Sequence, residues 1–73
     1  MKTNLKTIKK DILDCIADWA PCRVEFIDDI TRASSNPETY TAAIKLTLSE
    51  TVTRCYRAFW TEDGVEFEYL KNP

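Results

Sequence analysis

Apolar residues at the start of the chain recur every three or four positions, which is the spacing of one face of an α-helix. They are Leu5, Ile8, Ile12, Cys15, Ile16 and Trp19. Thr3 or Asn4 can cap the first turn by accepting a backbone N–H bond. Pro21 is expected to end the helix, because its ring prevents continuation. The pattern therefore predicts a helix over about residues 4 to 19.

Beyond residue 21 the apolar residues alternate with polar ones, which is the period of a β-strand with one buried face. The pattern occurs in the stretches CRVEFI, YTAAIKLTLS, VTRCYRAFW and VEFEYL. The intervening stretch DDITRASSNPET contains the chain breakers SSNP and is predicted to be a loop or turn. Asp63-Gly64 lies between the last two strands and predicts a hairpin, because glycine adopts positive φ without steric cost.

The turns constrain how the later strands pair. A three-residue turn at SET, residues 49–51, pairs Tyr40 with Trp60 and gathers the apolar side chains on one face. The Asp63-Gly64 turn leaves two registers open, in which Trp60 faces either Phe67 or Val65. These registers differ by two residues, so both leave every side chain on the same face.

The first strand is placed by the same reasoning. Matching its apolar residues to the next strand pairs Val24 with Leu48 and Phe26 with Leu46. A carboxylate would then face the apolar side of the sheet, so a bulge or strand end is expected near Asp28-Asp29.

These elements predict an α+β fold, in which the N-terminal helix packs on one face of a four-stranded antiparallel meander sheet (α-β-β-β-β). Residues 1–73 are predicted to form one small domain. The helix is the element available to cover the apolar face of the sheet. That face comprises Val24, Phe26, Tyr40, Ile44, Leu46, Leu48, Val52, Tyr56, Trp60, Val65, Phe67 and Tyr69. Most of these aromatic residues are expected in the core, and the alternative is that Trp60, Phe67 and Tyr69 form a binding surface.

The charge distribution bears on nucleic-acid binding. The formal net charge is −2, but the first ten residues hold four lysines and no acidic residue. Lys2, Lys6, Lys9 and Lys10 are thus the candidate phosphate contacts. The acidic remainder of the chain lacks the basic excess of a general nucleic-acid binder, so this function is kept as the alternative.

The cysteines and the hydropathy pattern bear on location and cofactors. The three cysteines, Cys15, Cys22 and Cys55, are too far apart in the chain to form a C-x-x-C metal-binding pair. The chain also has no histidine, so no metal or other cofactor is expected. An odd number of cysteines suits small buried thiols in a reduced cytoplasmic protein. No apolar stretch reaches membrane-spanning length and no secretory leader is recognised, so no membrane association is expected.

Catalysis is not expected, because the chain lacks histidine, a glycine-rich phosphate loop and a nucleophile with an evident base. The sheet face away from the helix remains for function, and an apolar ring on such a face can anchor a partner. The predicted partner-binding residues are Thr41, Lys45, Arg57, Phe59, Glu66 and Glu68, with Arg57 paired to Glu66 or Glu68. We expect a protein that docks on and modulates, or inhibits, a larger protein, and its length is typical of phage or mobile-element accessory proteins. The chain could also form a homodimer, either through a sheet edge or through this open face.

Overall fold

A computed structural model describes residues 4–19 and 22–71 of the chain. Lys2, Thr3 and Pro21, to which the sequence assigned roles, lie outside the described residues. The helix and strands are α1 (Leu5–Trp19), β1 (Arg23–Phe26), β2 (Thr31–Ser35), β3 (Glu38–Thr47), β4 (Thr53–Thr61) and β5 (Gly64–Lys71).

The strands form one antiparallel sheet in the order β1-β3-β4-β5, with β2 also paired to β3. The predicted α+β fold, with an N-terminal helix against an antiparallel sheet, is confirmed. The loop predicted between the first two strands is wrong in part, because it contains β2. All five residues of β2 are exposed, so no alternation of apolar and polar side chains marks it as a strand. It forms because β3 has ten residues and β1 pairs with only the second half.

The pairing predicted from the SET turn is confirmed, since Tyr40 lies opposite Trp60. Of the two registers left open for the last hairpin, the structure has the one that pairs Trp60 with Val65. The turn consists of residues 62 and 63, and Gly64 follows it at a φ of 148°. A residue with a side chain is strained at that φ, so Gly64 is required by its backbone conformation.

The register predicted for β1 is wrong by two residues. Val24 lies opposite Leu46, and Phe26 lies opposite Ile44. A shift of two residues keeps all side chains on their faces, so the apolar pattern could not distinguish the two registers. The strand nevertheless ends at Phe26, close to the break expected at Asp28-Asp29.

The core lies between the helix and the centre of the sheet. The helix begins after Asn4, whose side-chain Oδ1 accepts a hydrogen bond from the N–H of Lys6 at 2.8 Å, as expected for a cap. The buried core cluster comprises Ile8, Ile12, Ile16, Ile44, Leu46, Ala58 and Trp60. Trp60 is only 8% exposed, and Phe67 packs against the cluster, so both are on the covered face as predicted.

The helix does not cover the whole predicted apolar face. Its 15 residues span about 22 Å at 1.5 Å per residue, whereas the longest dimension of the molecule is 41 Å. Several residues predicted to be buried are exposed, most of them near an end of the helix or of the sheet. They are Leu5, Cys15, Trp19, Leu48 and Tyr69.

Candidate functional site

The six predicted partner-binding residues share the sheet face away from the helix, called here the open face. Thr41, Phe59 and Glu66 form one row across β3, β4 and β5. Arg57 and Glu68 belong to the next row, which begins at Ala43 of β3. Lys45 lies one row further, opposite Cys55. The sheet thus brings residues that are far apart in the chain into one continuous surface.

The centre of the open face is organised by Asp28, a residue that was not predicted to have this role. Its Oδ1 accepts a hydrogen bond from the backbone N–H of Ala43 at 2.7 Å. Its Oδ2 lies 3.9 Å from Nη2 of Arg57, whose Nη1 donates to Oγ1 of Thr41 at 3.4 Å. Beyond the end of β1, the carboxylate of Asp28 therefore takes the place of a strand carbonyl as the acceptor for the N–H of Ala43. The same carboxylate also positions Arg57.

The ion pair of Arg57 differs from the expected one. Glu68 lies directly opposite Arg57, yet the salt bridge found in the described residues joins Arg57 to Asp28 on the other side. Neither Glu66 nor Glu68 takes part in an ion pair within residues 4–19 and 22–71. The two carboxylates therefore add negative charge to the outer strand of the sheet.

Small residues on the open face are less accessible than their position in the sequence indicates. Cys55 and Ala43 both belong to the open face and are both buried there. Each lies directly opposite a longer side chain, Lys45 for Cys55 and Arg57 for Ala43. Phe59 is partly exposed. The open face is thus a mainly polar surface with one aromatic ring.

A second surface lies where the end of the helix meets β5. It is an open groove that we call the aromatic groove, lined by Cys15, Trp19, Tyr56, Val65, Glu66, Phe67 and Tyr69. Trp19 and Tyr69 are 52% and 50% exposed, respectively. Sequence reasoning assigned most of these rings to the core. Its alternative, a binding surface of Trp60, Phe67 and Tyr69, shares Phe67 and Tyr69 with the lining of the groove, whereas Trp60 is buried.

The rings of the groove are in mutual contact. The Trp19 and Tyr56 centroids are 5.2 Å apart at an interplanar angle of 74°, an edge-to-face arrangement. Trp19 also lies 5.7 Å from the Phe67 ring, and Tyr56 lies 5.5 Å from the Tyr69 ring. Such contacts add about 0.5–1.5 kcal/mol each beyond area burial and hold the exposed rings in place. The groove is therefore an ordered aromatic surface.

The lysine cluster of the alternative function is partly engaged in other contacts. Lys9 lies over the Phe26 ring, with its Nζ 5.3 Å from the centroid. Lys10 donates a hydrogen bond to Asp14 at 2.9 Å. This hydrogen bond and the attraction of the same carboxylate raise the pKa of Lys10. Lys6 is exposed and lines the same open depression as the acidic residues 28 and 29.

The orientation of the helix is set by a contact that the sequence pattern does not reveal. Asp11 is not among the apolar residues that predict the helix, yet its Oδ2 accepts a hydrogen bond from Nε1 of Trp60 at 2.9 Å. A buried indole N–H usually requires such an acceptor. The bond joins the middle of α1 to β4 and, with the buried isoleucines of the helix, holds α1 in place on the sheet.

Comparisons of the chain with protein-family models, with curated proteins and with solved structures found no match. Within the described residues, no helix has the length and apolar character needed to cross a membrane. The function is therefore argued from the two surfaces themselves.

Proposed function

We propose that this protein is a non-catalytic binding protein that acts through contact with another, larger protein and modulates it. The observation that carries the proposal is the aromatic groove, in which Trp19 and Tyr69 are half exposed and supported by neighbouring rings. Aromatic residues are enriched at the energetic centres of protein interfaces. Ordered rings also lose little side-chain entropy when a partner binds, because they are already held in position.

The open face is proposed as the outer part of the same interface. It borders the groove through Glu66 of β5, and it contributes Phe59 and the polar residues Thr41, Lys45 and Arg57. A polar surface around an aromatic centre is the usual anatomy of a protein interface. Glu66 and Glu68 then favour a partner with basic groups at this border.

The alternative, nucleic-acid binding through the N-terminal lysines, has less support. Lys9 and Lys10 are engaged with Phe26 and Asp14, respectively. A phosphate backbone would have to compete with these contacts.

A cytoplasmic location and an accessory role in a phage or mobile element are kept as parts of the proposal. Cys15, Cys22 and Cys55 are free thiols, which suits a reducing compartment. The accessory role is supported by the length of the chain alone.

The proposal is tested by cross-linking and affinity capture from a lysate of the source cells, with quantitative mass spectrometry. Trp19→Ala and Tyr69→Ala are expected to reduce recovery of the partner at least tenfold, since truncation of an interface aromatic commonly costs about 2 kcal/mol or more. Leu48→Ala is the matched control, because Leu48 is also exposed but lies at the other hairpin.

The proposal is wrong if no protein is enriched over a mock capture. It is also wrong if the recovered material is nucleic acid whose binding is lost when Lys6, Lys9 and Lys10 are changed to Glu. Retention of the partner by both aromatic variants, with loss in Phe59→Ala, would move the interface to the open face.

A further inference from the structure

The outer strand β5 is an open edge of the sheet. It is last in the strand order, and it pairs with β4 without interruption from Gly64 to Tyr69. On an edge strand, alternate backbone N–H and C=O groups point away from the sheet and can pair with another strand. The next strand position beside β5 is therefore available to a partner segment.

The two sides of this strand position have different chemistry. On the helix side it adjoins the aromatic groove, where Phe67 and Tyr69 project from β5. On the open face it adjoins Glu66 and Glu68, for which the described residues show no ion pair. Because strand side chains alternate between faces, a segment pairing here presents apolar residues to the groove and every second residue to the carboxylates.

A second copy of this chain is a poor match for that position. An antiparallel β5–β5 pair that continues the sheet keeps the open faces on the same side. Central registers then place Glu66 or Glu68 of one copy opposite Glu66 or Glu68 of the other. Like charges directly opposite each other destabilise strand pairing. A strand with basic residues at the same positions gains attraction instead.

We propose that β5 accepts a strand from a partner protein in which basic side chains alternate with apolar ones. The basic side chains contact Glu66 and Glu68, and the apolar side chains pack on Tyr69, Phe67 and Trp19. This inference rests on the proposed function and names the partner segment by its chemistry. The main-chain bonds supply affinity, and the two glutamates select for the charge of the segment.

The test uses two blocked octapeptides, one alternating lysine with valine and one alternating glutamate with valine. Each is titrated into the full-length protein at low ionic strength, and binding is followed by amide chemical shifts and hydrogen exchange. The lysine peptide is expected to bind at least about tenfold more tightly, equivalent to ~1.4 kcal/mol. Amides of β5 are expected to gain protection, whereas those of β1 and β2 are not.

Two variants separate the contribution of the glutamate charges to peptide binding from that of the Tyr69 ring. Glu66→Lys combined with Glu68→Lys is expected to reverse the peptide preference, and the dispersion of its amide chemical shifts checks that the variant is folded. Tyr69→Ala is expected to weaken binding of the lysine peptide while keeping the preference for it, because the charges are unchanged. Reversed preference in one variant and retained preference in the other together support strand addition.

Equal affinities for the two peptides, absent binding, or protection away from β5 would overturn the inference. Protection of β5 in the protein alone, together with dimers in sedimentation velocity, would overturn it in favour of a second copy. The two proposals fail separately: a partner captured by the wild-type protein and lost only in Phe59→Ala keeps the proposed protein binding but rejects β5 as its site, whereas no enrichment over a mock capture rejects the proposed function itself.

Discussion

The two edges of the sheet are built differently. One edge is formed by the short strands β1 and β2, which are separated by residues 27–30 and pair with the same side of β3. Its pairing with β3 also shifts register between Arg32 and Ser34. The other edge is β5, which pairs regularly with β4 over six residues from Gly64 to Tyr69 and shifts register only beyond them, between Tyr56 and Cys55 of β4. Short strands and bulges prevent pairing with other chains by shape, whereas β5 presents a regular edge.

The regular edge is protected mainly by charge. Glu66 and Glu68 repel another acidic strand, and they leave the backbone geometry of β5 suitable for pairing. An irregular edge prevents pairing with any strand, whereas a regular edge with negative side chains prevents pairing only with strands that are also negatively charged. The regular edge is therefore the one that we propose for selective binding.

The largest loss of stability is expected from a substitution in β3 at a residue that packs between the strands leading to both edges. Ile44 is fully buried in β3, opposite Phe26 of β1 and Tyr56 of β4. Ile44→Ala should lower the free energy of unfolding by about 2–5 kcal/mol, because it removes core contacts and leaves a cavity. Urea denaturation measures the change. Ile27→Ala is the control, since Ile27 is exposed; an equal loss there would contradict the assigned core.

The broken edge should be selectively weakened at Asp28. Asp28→Ala leaves the buried N–H of Ala43 without its acceptor and should destabilise the protein by about 1–3 kcal/mol. Hydrogen exchange should accelerate in β1 more than in β5. Asp28→Asn keeps an oxygen acceptor and is expected to retain most of the stability. The neighbouring change Asp29→Ala should have little effect, and a similar loss there would mean that the Asp28 contact is not the cause.

The regular edge should become self-associating when its charges are removed. Combining Glu66→Thr with Glu68→Thr is expected to increase the self-association constant about tenfold, equivalent to ~1.4 kcal/mol, because opposed carboxylates no longer repel. Sedimentation velocity over a range of concentrations measures the constant. The matched change Glu25→Thr on β1 should leave self-association unchanged. Equal association by both variants would remove the distinction between the edges.

The smallest effect is expected at the surface ion pair of the broken edge. Nη2 of Arg32 in β2 lies 3.1 Å from Oε2 of Glu38 in β3. Arg32→Ala should reduce stability by about 0.2–1 kcal/mol, since exposed ion pairs are screened by water and salt. The loss measured by urea denaturation should shrink at high salt. A loss that is large and independent of salt would show that β2 depends on Arg32 for more than this pair.

The main elements of the fold could be predicted because period and turn chemistry are local properties of the chain. The spacing of Ile8, Ile12 and Ile16 predicts the helix, and the SET turn predicts the register of Tyr40 with Trp60. The strand β2 could not be predicted, because its residues are all exposed and its stability comes from pairing with β3. The β1 register was missed because a shift of two residues leaves every side chain on the same face, so the apolar pattern fits both registers.

The candidate site was predictable to a smaller extent. Alternation correctly placed Thr41, Phe59 and Glu66 on one face, since the period of a strand determines which side chains share a face. It did not predict that Trp19 and Tyr69 would be half exposed. Both have apolar rings at positions that match the buried pattern, so exposure depends on how far the helix extends over the sheet.

The amino-acid sequence by itself determined the α+β architecture, the later hairpins and the division of side chains between two faces, because these follow from local period and turn geometry. Only the tertiary structure decided which apolar residues remain uncovered, where β1 and β2 pair, and that β5 is a regular edge beside ordered rings. These features depend on contacts between distant residues, such as Asp11 with Trp60 and Asp28 with Ala43, which no local pattern encodes.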